Sequence, residues 1–218
     1  MITGVDEAGR GPVIGPLVIA GVTFKDENPL IELNVRDSKK IFPNRRKFLA
    51  EKIKQIALNY EILIIKAKEI DDMRKVMTLN EIEVNAFTKV IKKLKPELCY
   101  VDSADVNENR FKQDILSQLT FKTEIISKHK ADDLYPIVGA ASIIAKTKRD
   151  EEVNIIEEEL KEKLNIPLGS GYPADPITQK FLQTWLVKYK KLPPYIRKSW
   201  KTSQNLLKNS YTKKLEDY

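Results

Sequence analysis

The sequence predicts an α/β fold built on a mixed sheet, with antiparallel and parallel strand pairs. Two extended apolar segments come first, at residues 1–5 and 17–24, and helical and extended segments then alternate. This order of elements is typical of sheets that contain both kinds of pair. Beyond the Gly- and Pro-containing stretch 166–171, the chain is basic and has helical spacing. We therefore expect a main domain, residues 1–167, and a helical C-terminal subdomain, residues 168–218.

Local patterns define the elements of the first half. Apolar residues recur at helical spacing over residues 44–58, and residues 61–65 form a short apolar strand candidate. Thr78 and Glu81 have the spacing of a capping box, which predicts that a helix begins there. The apolar stripe of this helix ends just before Pro96.

The second half continues the alternation. Residues 97–101 are predicted to form a buried strand that has Asp102 at its carboxyl end. A helix near residues 110–119 and a strand near residues 121–127 follow, and a long helix begins near Pro136.

The composition fits a globular domain and excludes several kinds of site. The chain has 218 residues, of which 42% are hydrophobic and 32% charged, and this length is ample for a hydrophobic core. It contains one cysteine, Cys99, and one histidine, His129. Internal disulfides, Cys-based zinc clusters, His-based metal centres and serine-protease-like triads are therefore excluded. Any metal chemistry must rest on oxygen ligands.

The basic excess lies at the C-terminal end. The chain has 38 Lys and Arg against 31 Asp and Glu, a net charge of +7, and residues 186–218 alone carry +7. Five aromatic residues lie among these charges, as on surfaces that bind phosphates and bases. A solvated helix with aromatic residues packed underneath explains the same pattern, so both interpretations stay open.

We expect a cytoplasmic protein that binds no membrane and is a monomer. No segment has enough consecutive apolar residues to span a bilayer. The N-terminal residues lack the basic and apolar regions of a signal peptide.

Two adjacent acids, Asp6 and Glu7, directly follow the first apolar segment. Burying carboxylates is unfavourable unless a cation compensates them. Successive strand residues point to opposite faces, so both acids can reach one site only if the strand bends or ends there. The glycines that follow give the backbone this freedom, although a solvated strand end also explains the pair.

The next segment, Gly9-Arg10-Gly11, has features of a phosphate-binding turn. Small residues let backbone N–H groups approach a phosphate, and arginine offers a planar set of donors. The spacing matches neither the phosphate-binding loop nor the dinucleotide fingerprint, so a plain tight turn is the simpler interpretation.

Further acids stand at comparable places. Asp102 ends a strand, where α/β proteins often place functional groups. Asp132 and Asp133 precede the helix near Pro136, where either could be a helix cap, and their spacing does not distinguish them. Four carboxylates in one cleft would repel, and two divalent cations would balance their charge. Such metal pairs act on phosphodiesters, and oxygen ligands favour Mg²⁺ or Mn²⁺ over zinc.

Several segments then match one family in order along the chain. Residues 6–12, 37–40, 101–102, 130–136 and 140–146 read DEAGRGP, DSKK, VD, KADDLYP and AASIIAK. Together they resemble ribonuclease HII, the type 2 ribonuclease H, in its archaeal form. The resemblance implies an RNase H-like fold, a mixed five-stranded sheet flanked by helices.

The resemblance also implies a role for individual residues. Asp6, Glu7, Asp102 and Asp132 would be the catalytic metal ligands, which selects Asp132 over Asp133. Gly9, Arg10 and Gly11 would contact the nucleotide at the RNA–DNA junction and recognise its 2′-OH through the backbone. Tyr172 would stack beneath the sugar, unless it only packs a loop, and Lys39 would contact a phosphate, unless it lies in a solvated turn.

The implied activity is metal-dependent endonucleolytic hydrolysis of the RNA strand of RNA/DNA hybrids, with two Mg²⁺ or Mn²⁺ ions when substrate is bound. It includes cleavage 5′ to ribonucleotides in duplex DNA, which leaves 3′-hydroxyl and 5′-phosphate ends. Two other classes stay open: another RNase H-like nuclease, of the resolvase or integrase type, and a noncatalytic nucleic-acid-binding protein.

A second motif lies near the C-terminus. Gln204, Leu207 and Tyr211 have the register of the sliding-clamp-binding motif of replication and repair proteins. A helical turn would place Leu207 and Tyr211 on one face, ready for a hydrophobic pocket. Ser210 stands where that motif usually has an aromatic residue, and a terminal helix that packs on its own domain explains the pattern too.

Overall fold

The structure, a computed structural model, describes residues 1–35 and 41–216, with side chains described as far as residue 208. The strands are β1 (Ile2–Ala8), β2 (Leu17–Phe24), β3 (Asn59–Ile65), β4 (Leu98–Asp102) and β5 (Glu124–Lys128). The helices are α1 (Asn28–Glu32), α2 (Pro43–Ile56), α3 (Ala67–Met73), α4 (Leu79–Leu94), α5 (Glu108–Gln118), α6 (Ala131–Leu134), α7 (Pro136–Lys161), α8 (Pro176–Tyr189) and α9 (Lys201–Glu216).

The strands form one five-stranded sheet in the order β3-β2-β1-β4-β5. β1 is antiparallel to β2 and parallel to β4, and β4 is parallel to β5. The predicted mixed sheet is therefore confirmed. Its three parallel strands end at one edge, where α/β proteins usually place their functional groups.

The chain divides into two compact units, both discontinuous in sequence. Unit 1 comprises Met1–Ala8, Val18–Ile64 and Met77–Lys148, and unit 2 comprises Gly9–Leu17, Ile65–Val76 and Arg149–Tyr218. The boundary expected between residues 167 and 168 stays a prediction.

In unit 1 one hydrophobic cluster lies between the sheet and helices α2 and α7. Leu49 and Ile53 of α2 are buried with Ile137 and Ile144 of α7. Helix α7 packs very closely on β1, since a Cβ atom added at Gly4 would lie only 2.2 Å from the carbonyl oxygen of Ile137. Only glycine fits between β1 and α7 at this point.

Helix α4 begins as its sequence predicts. The hydroxyl of Thr78 accepts a hydrogen bond from the N–H of Glu81, and the Glu81 carboxylate accepts one from the N–H of Thr78. This capping box satisfies backbone donors that the first helical turn leaves without a partner.

In unit 2, residues between β1 and β2 share a core with the end of α7 and the C-terminal helices. Ile14 is buried with Ile156 of α7 and Trp185 of α8. Tyr189 and Trp200 pack against the same core. We call the basic residues 186–218 the tail. Tyr189 and Trp200 therefore agree with the interpretation in which the aromatic residues of the tail pack underneath its charges.

Two differences from the sequence prediction are local. The sequence pattern predicted neither the short helix α1 nor α3. Both helices are shorter than the window over which helical periodicity can be recognised.

Among the helices that the structure describes, none combines the length and low charge that a membrane span requires.

Candidate active site

The carboxyl ends of β1 and β4 place two acids side by side. The register of these parallel strands pairs Val5 with Val101. Asp6 and Asp102 are the next residues on the two strands. Their carboxylates therefore stand at the same edge of the sheet, although they lie far apart in the sequence.

Glu7 joins this pair. One carboxylate oxygen from each of Asp6, Glu7 and Asp102 lies within 4.8 Å of the other two, and we call these three residues the acidic site. The strand continues past its predicted end at Val5, because its pairing with β2 extends to Ala8. The backbone N–H of Glu7 donates to Oδ1 of Asp6 at 2.7 Å, which fixes the Asp6 carboxylate within the continuing strand.

Burial raises the pKa of Asp6 well above its ordinary value, and the charges of Glu7 and Asp102 raise this pKa further. A hydrogen bond with Ser142 and the positive charge of Lys146 act in the opposite direction. The Asp6 side chain is 3% exposed, so water screens these charges poorly. The site therefore favours either a bound proton or a bound cation over three bare carboxylates.

Asp102 is also fixed by the chain that follows β5. Its Oδ1 accepts a hydrogen bond from the backbone N–H of Ala131 at 2.7 Å. Ala131 begins α6, after Lys130 turns the chain with a positive φ of 55°. This bond ties the start of α6 to the acidic site within unit 1.

The structure distinguishes Asp132 from Asp133. Both lie in α6, but Asp132 is buried and Asp133 is exposed. Oδ2 of Asp132 lies 3.6 Å from Nζ of Lys146, the same lysine that acts on the pKa of Asp6. Asp132 is thus placed next to a cation that faces the acidic site, although it is not among the three carboxylates grouped within 4.8 Å.

The donor set of the acidic site fits a hard divalent cation. All three ligand groups are carboxylates, and carboxylate oxygens are the ligands that Mg²⁺ and Mn²⁺ prefer. The electrostatics agree, since a bound cation would relieve the repulsion that raises the pKa of Asp6.

In unit 2, residues 9–15 form a turn that we call the glycine loop. Gly9 has a φ of +90°, and a Cβ atom there would lie 2.5 Å from the carbonyl oxygen of Pro16. Gly171 supports the loop, because its carbonyl oxygen accepts hydrogen bonds from the N–H groups of Val13 and Ile14. Both the backbone angle and the space at Gly9 therefore require glycine.

Tyr172 lies beside this loop. Its ring is the nearest group to a Cβ atom added at Gly11, at 3.5 Å. The guanidinium carbon of Arg149 lies 5.0 Å from the centre of the ring, and Nη2 of Arg149 donates to the carbonyl oxygen of Ser170. The structure thus brings Tyr172 to the predicted Gly9-Arg10-Gly11 segment, with 40% of the tyrosine exposed.

The other predicted site residues are placed less fully. Lys39 lies outside the described residues. The predicted helical turn at residues 204–211 belongs to α9, where Gln204 is exposed and Leu207 is half-buried. The side chain of Tyr211 lies outside the described part.

A sequence model of the family described as "Ribonuclease HII" matches residues 3–203. The chain belongs to the ribonuclease HII family. Ribonuclease HII from Methanosarcina barkeri is 46% identical over 217 residues, which covers 94% of this chain and 95% of the relative.

Solved ribonuclease HII structures have the same fold. Ribonuclease H2 from Pyrococcus horikoshii is 41% identical with a TM-score of 0.86, covering 96% of this chain and 98% of that one. Ribonuclease HII from Archaeoglobus fulgidus, solved as a complex with PCNA, is 43% identical with a TM-score of 0.85, covering 94% and 96%. The resemblance to an archaeal-type ribonuclease HII is therefore confirmed.

Family membership decides between the three function classes. The protein is a metal-dependent ribonuclease H of type 2, an endoribonuclease that hydrolyses the RNA strand of RNA/DNA hybrids and incises duplex DNA at embedded ribonucleotides. The resolvase or integrase alternative and the noncatalytic alternative are not supported.

Two basic residues contact the predicted site but were not themselves predicted to belong to it. Lys146 lies beside Asp132, and Arg149 lies against Tyr172. Both lie on α7, in the segment that follows the AASIIA stretch, so their positions were visible in the sequence. An ion pair of this segment with Asp150 was expected, and Nη1 of Arg149 lies 3.6 Å from Oδ1 of Asp150. The contacts with Asp132 and Tyr172 were not predicted, because helical spacing does not tell which distant residues a basic side chain meets.

Proposed function

We propose that Asp6, Glu7 and Asp102 bind the divalent cations of this ribonuclease HII and that Asp132 is the fourth ligand. The observation that carries the proposal is the grouping of three carboxylate oxygens within 4.8 Å. The burial of Asp132 near Lys146 supports its assignment over Asp133.

The proposed metals are two Mg²⁺ or Mn²⁺ ions, bound together with substrate. Two divalent cations balance the charge of four carboxylates. When bound, such ions lower the pKa of the attacking water and stabilise negative charge on the departing 3′ oxygen. The carboxylates of the chain hold and orient them at the carboxyl edge of the sheet, and Ser142 fixes the carboxylate of Asp6 by a hydrogen bond.

The proposed substrate contacts lie in unit 2. Gly9, Arg10 and Gly11 would contact the ribose at the RNA–DNA junction, and Tyr172 would stack beneath the sugar. Backbone groups that recognise a 2′-OH distinguish RNA from DNA without reading the base. Cleavage would fall on the 5′ side of the ribonucleotide and leave 3′-hydroxyl and 5′-phosphate ends. Lys39 remains a proposed phosphate contact.

The metal assignment is tested with matched variants of α6 and β4. We expect Asp102→Asn and Asp132→Asn to reduce Mg²⁺-dependent cleavage of a duplex that contains one ribonucleotide by about 100-fold or more. Asp133→Asn, which removes a neighbouring exposed carboxylate, is the control and should cleave normally. Near-normal cleavage by Asp102→Asn would exclude that carboxylate from the metal site.

The proposed protein partner is a sliding clamp of the PCNA kind. The register of Gln204, Leu207 and Tyr211 in α9 supports it, as does the complex of the Archaeoglobus relative with PCNA. In a pull-down with the clamp, Leu207→Ala and a chain ending at Ser203 should both lose binding. Ser203 is kept because its hydroxyl donates to the carbonyl oxygen of Arg197. Retention of the shortened chain would reject the motif.

We also propose that the protein is monomeric and cytoplasmic. Light scattering of the purified protein tests the first statement, and a mass of two chains would contradict it.

A further inference from the structure

Arg197 is fully buried, and its guanidinium group contacts the backbone of the glycine loop. Nη2 donates to the carbonyl oxygen of Gly9 at 2.6 Å, and Nη1 donates to that of Arg10 at 2.9 Å. Nε donates to the carbonyl oxygen of Gly15 at 3.0 Å. One side chain therefore binds both ends of the glycine loop from within unit 2.

These bonds determine the direction of the N–H groups in the loop. In a trans peptide the carbonyl and the N–H point to opposite sides, and the described residues contain no cis peptide. Because the carbonyls of Gly9 and Arg10 point toward Arg197, the N–H groups of Arg10 and Gly11 point away from it. These are backbone donors of the segment proposed to recognise the ribose.

The chemistry of the contact requires arginine. A buried guanidinium group is stabilised only when its donors have partners, and here three carbonyl oxygens accept from three of its nitrogens. The planar group holds these donors in a fixed arrangement. A lysine ammonium is a single point of charge and cannot reach three separate carbonyls in this geometry.

Arg197 is itself held in place by its neighbours. Its N–H donates to the carbonyl oxygen of Val13 at 2.8 Å, and its carbonyl oxygen accepts from the hydroxyl of Ser203 at 2.7 Å. The guanidinium carbon lies 4.8 Å from the centre of a Trp200 ring. The side chain therefore approaches the loop from a rigid support.

Asp71 on α3 adds a second support that does not touch the loop. Its carboxylate accepts hydrogen bonds from the N–H groups of Lys198 and Ser199 and from the hydroxyl of Ser199. These bonds fix the chain immediately after Arg197. A substitution at Asp71 can therefore loosen Arg197 without changing any donor or acceptor in the glycine loop.

We propose that Arg197 is a positioning residue for junction recognition: it orients the N–H groups of Arg10 and Gly11 toward the ribose of the substrate. The inference rests on the proposed role of the Gly9-Arg10-Gly11 segment and goes beyond it, because it assigns the geometry of that segment to a side chain near the other end of the chain.

The experiment measures kcat and KM for two substrates, a DNA duplex with one ribonucleotide and a continuous RNA/DNA hybrid. Arg197→Lys and Arg197→Gln are compared with the unsubstituted chain, after circular dichroism and thermal melting show that each is folded. Lys161→Gln is the control for loss of a charge on α7, since Lys161 forms an exposed pair with Glu158. Arg10→Ala and Tyr172→Ala are measured in parallel.

We expect kcat on the single ribonucleotide to fall about tenfold or more in both Arg197 variants, because a small displacement of the positioning groups is costly. KM should change less than about twofold, since phosphate contacts elsewhere supply most of the affinity. The preference for a single ribonucleotide over the hybrid should fall with kcat. Arg197→Lys should lose kcat and preference as Arg197→Gln does. If Arg197 acted only through its positive charge, Arg197→Lys would keep both.

A folded Arg197→Lys variant with unchanged kcat and preference would overturn the proposal, whatever its melting temperature. If neither Arg197 variant folds, Asp71→Ala decides: we expect a smaller fall in the same preference, about threefold, and an unchanged preference would overturn the proposal. Unchanged preference in Tyr172→Ala instead contradicts the proposed sugar contact, which distinguishes that failure from the failure of Arg197. Arg10→Ala keeps the backbone N–H groups and therefore tests only a contact made by the Arg10 side chain.

Discussion

Lys146 and Asp132 form an ion pair, with Nζ and Oδ2 3.6 Å apart. Asp132 is buried, and the positive charge of Lys146 also opposes the rise in the pKa of Asp6. Helix α7 thus supplies a cation to the carboxylates of unit 1. In the absence of divalent ions, this charge offsets part of their mutual repulsion.

Lys146→Gln should therefore make the protein more dependent on a bound metal. Without divalent ions we expect a loss of about 1–3 kcal/mol of unfolding free energy, because buried carboxylates lose a compensating charge. Added Mg²⁺ should raise the melting temperature of the variant more than that of the unsubstituted chain, since binding stabilises the folded state. Melting curves with and without Mg²⁺ measure this difference, and equal Mg²⁺ effects in the two proteins would contradict it.

Asp105 should stabilise the turn after β4 and take no part in metal binding. It is buried, it accepts hydrogen bonds from Arg110 at 2.6 and 2.9 Å, and it accepts one from the N–H of Asn107. Asp105→Ala should cost about 2 kcal/mol in urea unfolding, the usual range for charged hydrogen bonds. The Mg²⁺ concentration for half-maximal cleavage should stay unchanged. A shift in that concentration would place Asp105 among the metal ligands.

Asp175 should make stability depend on pH below about pH 4. Hydrogen bonds from the N–H and hydroxyl of Ser170 lower the pKa of Asp175 from 3.8 to about 2. Because the pKa of Asp175 in the folded state lies below its ordinary value, the ionised carboxylate stabilises the folded protein fully above about pH 4. This stabilisation is lost as the pH falls toward 2. Asp175 is partly exposed, so we expect its ionised carboxylate to add about 1 kcal/mol to the free energy of unfolding.

Urea unfolding of the unsubstituted chain and of Asp175→Asn tests this at neutral pH and at about pH 3. The stability difference between the two proteins should shrink at the lower pH. A constant difference would show that the charge of Asp175 contributes little beyond the helix cap that it forms on α8.

The exposed lysines of the tail should bind phosphates, in contrast to Arg197. Lys190, Lys191 and Lys198 are exposed. Replacing the three with Gln should raise KM and should reduce the slope of log affinity against log salt by about 0.9 for each phosphate that a lysine no longer neutralises. The kcat at saturating substrate should stay unchanged. An unchanged salt slope would show that these lysines do not meet the duplex.

The tail as a whole cannot be removed for this purpose. Leu186 and Ile196 are buried in unit 2, and Arg197 binds the glycine loop. Deleting residues 186–218 would therefore disturb folding as well as charge, and point substitutions separate the two effects.

Much of the fold was predictable because its signals are local. The capping box at Thr78 and Glu81 and the apolar stripe that follows it fixed α4, and short apolar runs identified the parallel strands. The elements that were missed, α1 and α3, are too short to show periodicity.

The sequence by itself determined the kind of chemistry, since one cysteine and one histidine leave carboxylates as the metal ligands and the ordered motifs identify the family. The tertiary structure decided which groups meet. The register of β1 against β4 unites Asp6 with Asp102, and the burial of α6 separates Asp132 from Asp133. Arg197 reaches Gly9 across 188 residues, a contact that no local pattern encodes. Periodicity reports the face on which a side chain lies, whereas its partner depends on how distant elements pack.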